Sequence, residues 1–151
     1  MARAMSYCNN ARNYFDNTLN QWVVKGDPTE GALLVTAKKA GFDYINELRQ
    51  EPRIFLLPFD SNRKRMSSVH NTNEGTFAFS KGAPKEMLAL CNKIEINGEI
   101  KDLNQGITNS ILKFNDDYAR RTLRVLAIAY KDLNNVVDEY SIQNVEKDMV
   151  F

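Results

Sequence analysis

The sequence predicts an α+β fold: one mainly antiparallel, twisted sheet with helices packed on it. Three observations lead there. Thr76 to Lys81 alternates as a half-buried strand does, with Phe77, Phe79 and Lys81 on one face. Ile94-Glu95-Ile96, Asn97-Gly98 and Glu99-Ile100 form a hairpin signal, because Asn-Gly suits the positive-φ positions of a tight turn. Ile107, Ile111, Phe114 and Tyr118 fall on one helical face, so Thr108 to Arg121 reads as an amphipathic helix.

The remaining elements follow in chain order. Ala2 to Phe15 is compatible with a helix, weakened by Asn9, Asn10 and Asn13. Asp16 to Asn20 is polar and loop-like, and Gln21 to Val24 is a short strand candidate. A marked helix start comes next: Asp27 as N-cap, Pro28 in the first helical position, and Glu30 placed to close a capping box. Leu33, Leu34, Ala37 and Ala40 give that helix its apolar stripe, and Gly41 ends it. Asp43 can cap a second helix with Ile45 and Leu48 inward, closed by Pro52.

Ile54 to Phe59 suits a strand buried on both faces. Ser61-Asn62 supports a turn, and Met66 to Val69 returns antiparallel. Pro84 opens a short helix carrying Met87, Leu88 and Cys91. Leu123 to Tyr130 is apolar apart from Arg124, which suggests a central strand. The tail from Asn134 is polar, with a weak helix over Ile142 to Lys147 and a strand start at Met149-Val150-Phe151.

Composition narrows the function classes. The chain has 151 residues, with Lys plus Arg 20 against Asp plus Glu 19. Near-neutral charge argues against a strongly basic nucleic-acid binder and an acidic disordered tail. Domains typically run to about 100–200 residues, so 1–151 is expected to be one domain. The longest apolar run, Val125 to Tyr130, is far short of the ~18 residues of a membrane span. No signal-peptide layout stands at the N-terminus, so the chain looks cytosolic. The 2 cysteines, Cys8 and Cys91, and 1 histidine do not make a structural zinc set. A disulfide is disfavoured in a cytosolic setting. His70 lies in the turn-like stretch His70 to Gly75 and reads as a solvated histidine with no triad to serve.

Chemistry concentrates in a few places. In Phe59-Asp60-Ser61-Asn62-Arg63-Lys64-Arg65-Met66 an aromatic adjoins three cations on a turn. That combination suits a base plus phosphates, by stacking and charge. Composition alone also fits a solvated turn with Phe59 in the core. Lys81-Gly82-Ala83-Pro84 runs from a strand into a helix, where glycine lets a ligand approach the backbone and Lys81 can project into a cleft. A plain connection with a solvated lysine fits as well. Arg124 either pairs with a carboxylate elsewhere or meets a phosphate at the strand's open end. Neither common glycine-rich phosphate loop occurs, so a nucleotide site here rests on side chains.

Taken together, these segments resemble a known family. Lys25-Gly26-Asp27-Pro28-Thr29-Glu30-Gly31-Ala32-Leu33, Phe59 to Met66, Lys81 to Pro84 and Thr122-Leu123-Arg124-Val125-Leu126-Ala127 occur in the order and spacing of the nucleotide-binding (N) domain of P-type cation-transporting ATPases. Ser6 to Ala11 and Glu146 to Phe151 extend the likeness to both ends. The resemblance implies that Phe59 stacks on adenine and that Lys81 borders the same pocket. It places Glu30 near the adenine or ribose edge, Lys64 and Arg124 toward the phosphates, and Met66 as a wall. Gly82 and Ala83 keep that wall low. Lys85 departs from the family, which usually has glutamate there; Glu86 is adjacent.

The resemblance also implies partners: ATP, and the phosphorylation and actuator domains of one polypeptide. The motif Asp-Lys-Thr-Gly-Thr, which carries the family's phosphorylated aspartate, does not occur. The chain is therefore expected to bind ATP without turning it over, with magnesium held mainly by the phosphorylation domain. It is expected to be a cytoplasmic domain of an integral membrane pump, touching the membrane only through other parts. The His-Pro pair of the heavy-metal branch is absent, and calcium is the first expectation for the ion. Rival classes are a polyanion- or RNA-binding module using Arg63 to Arg65, and a ligand-free protein-interaction domain.

Overall fold

A computed structural model describes residues 1–134 and 139–151. Helix α1 (Ala2–Tyr7) is followed by a hairpin of β1 (Arg12–Asp16) and β2 (Gln21–Lys25), then by α2 (Pro28–Lys39) and α3 (Tyr44–Gln50). Next come β3 (Arg53–Asp60), β4 (Arg65–Thr72), β5 (Gly75–Gly82), α4 (Pro84–Leu88), β6 (Cys91–Ile96) and β7 (Glu99–Asp102). The chain continues through α5 (Gln105–Arg120), β8 (Ala127–Asp132), α6 (Ile142–Val145) and β9 (Met149–Val150). The fold is α+β, as expected. Seven strands form one sheet in the order β3-β4-β5-β8-β9-β6-β7, antiparallel except where β6 meets β9.

Strand alternation sorts the core onto two faces. Met66 and Phe79 pack with Ala4, Tyr7 and Cys8 beneath α1. Val69 and Ala78 point the other way, toward Leu133 and Val145. A third cluster joins Met87 of α4 to Ala127, Ala129 and Met149.

Several expectations hold locally. Asp27 Oδ1 accepts from the backbone N–H groups of Thr29 and Glu30, at 2.8 and 3.1 Å. Gly41, at φ 82°, ends α2. Asn97 and Gly98, at φ 54° and 83°, make the tight turn between β6 and β7. Both cysteines are free.

Others are corrected. The helical stretch expected over Ala2 to Phe15 stops at Tyr7. Asn9 ends it, its Nδ2 donating to the Met5 carbonyl and its Oδ1 accepting from Ala11 N–H. The rest becomes β1, because it has β2 to pair with. Ile54 to Phe59 is an edge strand, not one buried on both faces, since among the described residues β3 has β4 as its one sheet neighbour. Inside α3, Tyr44 is buried and Ile45 is exposed. The central strand begins at Ala127, and Leu123 to Leu126 approach it as irregular chain. In α2, Ala40 is exposed, while Gly31 is buried where a side chain would collide with Val24. Cys91 starts β6 instead of extending α4. The polar tail over 135–138 lies outside the described residues.

His70 is the largest correction. It is fully buried in β4, with its ring 4.6 Å from that of Tyr7 and 5.9 Å from that of Phe79. Its ring nitrogens lie 3.1 Å from the Glu51 carbonyl and 3.2 Å from the Ser68 hydroxyl. Burial pushes its pKa below the ordinary 6.5. A histidine with both nitrogens partnered can enter a core that its flanking Asn and Thr residues do not advertise.

Candidate functional site

The strand register aligns four segments at one end of the sheet. Asp60 pairs with Arg65, Met66 with Lys81, Arg65 with Gly82, and Gly82 with Ala127. The N-terminal turn of α2 stands over this end, and a cavity of about 810 Å³ opens between them. Glu30, Phe59, Lys64, Met66, Lys81, Gly82, Ala83 and Arg124 all line it. The structure brings together every residue singled out for the site. Asn10, Asp27, Thr29, Leu33, Val125 and Leu126 complete the lining. Asp27, Thr29, Leu33, Val125 and Leu126 lie within the recognised motifs, and Asn10 comes from the turn that Asn9 creates after α1.

Phe59 is not in the core. It is 63% exposed at the end of an edge strand, with its ring bordering the cavity. Water-facing aromatic surface beside a cavity is available to a planar ligand. Met66, 2% exposed, provides apolar wall.

Lys81 is 5% exposed, and a buried cation needs a partner. Its Nζ lies 2.6 Å from Glu30 Oε1. Glu30 Oε2 accepts from the Asn10 backbone N–H at 2.9 Å. Glu30 therefore does not close the capping box with Asp27; its carboxylate is drawn across to β5 instead. The Cys8 thiol lies near this pair, and its burial raises its pKa to about 12, keeping it protonated.

The three cations of the basic turn separate. Alternation sends Arg65 to the sheet face opposite Met66. There Arg65 Nε meets Glu146 Oε2 at 2.8 Å, and Arg63 Nη1 meets Glu146 Oε1 at 2.6 Å. Ser67 Oγ also donates to Glu146 at 2.7 Å. Burial opposes the charge on Glu146, but these three donors hold its carboxyl below the ordinary 4.5. Lys64, at the turn tip with φ 52°, is the member of the trio that lines the cavity.

Arg124 is exposed, and its Nη1 donates to Thr29 Oγ1 at 3.2 Å. Among the described residues it forms no ion pair, so its charge is open to an incoming anion. Gly82 has a packing role: an added Cβ would stand 2.5 Å from the Lys64 carbonyl oxygen and from Arg65 Cβ. Its absence lets the basic turn rest on β5. A second cavity, about 630 Å³, lies between α1, α3 and β1. Arg12, Arg49 and Arg53 border it, but its rings, Tyr7, Tyr44 and His70, are buried. It offers no free aromatic surface to stack on.

Comparison with known proteins gives a consistent picture. The family described as "P-type ATPase, cytoplasmic domain N" matches residues 1–151. The chain is 37% identical over 138 residues to calcium-transporting ATPase 1 of Bacillus cereus, covering 90% of this chain and 15% of that protein. It is 30% identical over 151 residues to calcium-transporting ATPase 1 of Lactococcus lactis, covering 99% and 16%. It is 31% identical over 145 residues to a cation-transporting ATPase of Synechocystis, covering 95% and 15%. The chain thus spans about 15–16% of the length of these relatives.

Proposed function

This chain belongs to the cytoplasmic N-domain family of P-type ATPases, and we propose that it binds ATP in the cavity between Phe59 and the start of α2. One observation carries the reading: an aromatic ring 63% exposed at the rim of a cavity that also holds Lys64, Lys81 and Arg124. Phe59 stacks on the adenine, against walls made by Met66, Lys81, Gly82 and Ala83. Glu30 stands at the adenine or ribose edge, and Lys64 and Arg124 receive the phosphates. The polynucleotide alternative is weakened because Arg63 and Arg65 are committed to Glu146.

In this reading residues 1–151 are one nucleotide-binding domain of a longer membrane pump. The domain positions ATP for in-line transfer of the γ-phosphoryl group to an aspartate in a separate phosphorylation domain, where positioning and charge neutralisation dominate. Delivery is by rigid-body closure of the domains. Calcium is the proposed ion, since two of the relatives above are named calcium-transporting. Among the described residues no cluster of three or more His, Cys, Asp or Glu side chains could hold a metal ion. Magnesium is proposed to travel on the triphosphate and to be held chiefly by the phosphorylation domain.

Affinity of the chain alone should be weak. Stacking contributes roughly 1–3 kcal/mol per base. A few screened phosphate contacts bring the total to about 3–6 kcal/mol, a Kd on the order of 0.1–10 mM. An NMR titration with ATP tests this directly. Saturable shifts of amides around Phe59, Lys81 and Arg124 are expected; their absence at about 20 mM ATP, twice the weakest Kd expected, would refute the reading.

A further inference from the structure

The ammonium of Lys64 already has an anion. Its Nζ lies 2.8 Å from Glu86 Oε1. Backbone contacts bring the two residues together. Ala83 N–H donates to the Lys64 carbonyl at 3.0 Å, and the neighbouring Arg65 pairs with Gly82 across the β4–β5 ladder. The turn tip therefore rests on the chain entering α4, where Glu86 occupies the first turn. The hydrogen bond from Lys64 is the main reason the Glu86 carboxyl stays below its ordinary pKa.

Resting on the reading that ATP fills the adjoining cavity, we infer that Glu86 sets nucleotide affinity and specificity: it is an internal counter-anion that holds Lys64 until a polyphosphate displaces it. Carboxylate and phosphate compete for the same ammonium, and Glu86 also repels any phosphate that arrives there. A ligand without phosphates meets neither effect. The pair thus narrows the advantage of ATP over adenosine. Its influence is limited by solvent, because Lys64 is 58% and Glu86 25% exposed at the side chain. The exchange breaks no covalent bond and needs no third component.

The test is titration of the chain with ATP and, separately, with adenosine, in wild type, Glu86→Gln, Lys64→Met and the double variant. Glu86→Gln should tighten ATP about two- to fivefold, the range of an exposed ion pair, and leave adenosine unchanged. Unchanged adenosine binding also shows that the pocket is intact. In the Lys64→Met background the gain should shrink. If Glu86→Gln leaves ATP affinity unchanged, weakens it, or tightens adenosine equally, the inference is overturned while ATP binding itself stands. If ATP perturbs no amide near Phe59 in any variant, the ATP reading fails and the inference with it.

Discussion

Glu146 Oε2 and Arg65 Nε lie 2.8 Å apart although 81 positions separate them in the chain. The same carboxylate serves Arg63 and Ser67, and it is completely shielded from water at the side chain. One acidic residue beyond the last helix thus anchors the turn that presents Lys64.

Removing that carboxylate should be costly. Glu146→Ala leaves two largely buried guanidinium groups without their partner, a loss of about 3–5 kcal/mol. Urea unfolding of the variant should show a much lower midpoint. A midpoint within error of wild type would mean that the two arginines find other partners.

Phe59→Ala separates binding from stability. The ring is mostly exposed, so unfolding free energy should change by no more than about 0.5 kcal/mol. ATP affinity should fall by about 1–3 kcal/mol, the worth of one stacked base. Equal affinity in the two proteins would remove Phe59 from the adenine site.

Gly82→Ala tests the close approach of the basic turn. The new methyl would stand 2.5 Å from the Lys64 carbonyl, and overpacking of this kind costs about 1–3 kcal/mol. Thermal unfolding should register the loss, and ATP binding should weaken because Lys64 and Ala83 are pushed apart. Wild-type melting would show that the strands can shift without penalty.

Acid should destabilise the chain in two stages. His70 is held neutral below its ordinary pKa of 6.5, so the unfolded chain binds a proton that the native state refuses. Stability therefore falls as pH drops through about 6.5. Glu146 and Glu51 follow. Burial opposes the charge on Glu51 too, but Tyr7, Asn73 N–H and Arg3 hold it ionised below 4.5, so protonation near that pH weakens the fold further. Melting temperatures of His70→Gln should be flatter between pH 7.5 and 5.5, roughly the span set by an unperturbed histidine, yet fall normally below 4.5. A wild-type slope in that variant would assign the first stage to another group.

Much of this was legible from local chemistry. Asp27-Pro28 and Asn97-Gly98 announce a helix start and a tight turn by side-chain capping and local backbone preference, and both are found where expected. The site was legible for a different reason: its residues cluster in short ordered motifs, and sheet register then brings them to one end. What could not be read depends on partners far along the chain. Nothing around His70 signals the Tyr7 and Phe79 rings that enclose it. Nothing in Arg63-Lys64-Arg65 says that two of the three cations face Glu146 and one faces the cavity. Ile54 to Phe59 has the apolar composition of an interior strand, but Pro58, which has no N–H to give a second neighbour, is the residue in it that points to the sheet edge.

Strand β9 is two residues long and stands between β8 and β6. Phe151 extends the bridge, donating to the Lys93 carbonyl and accepting from Glu95 N–H, each at 2.9 Å. During synthesis the β6–β7 hairpin and the β3–β4–β5–β8 block therefore emerge as separate pieces of sheet. They can be stitched together only when residues 149–151 leave the ribosome, and that late seam carries long-range contacts whose closure is slow. A nascent chain paused before Met149 would expose the unpaired edges of both pieces at once, and that interval is where mispairing has its opening.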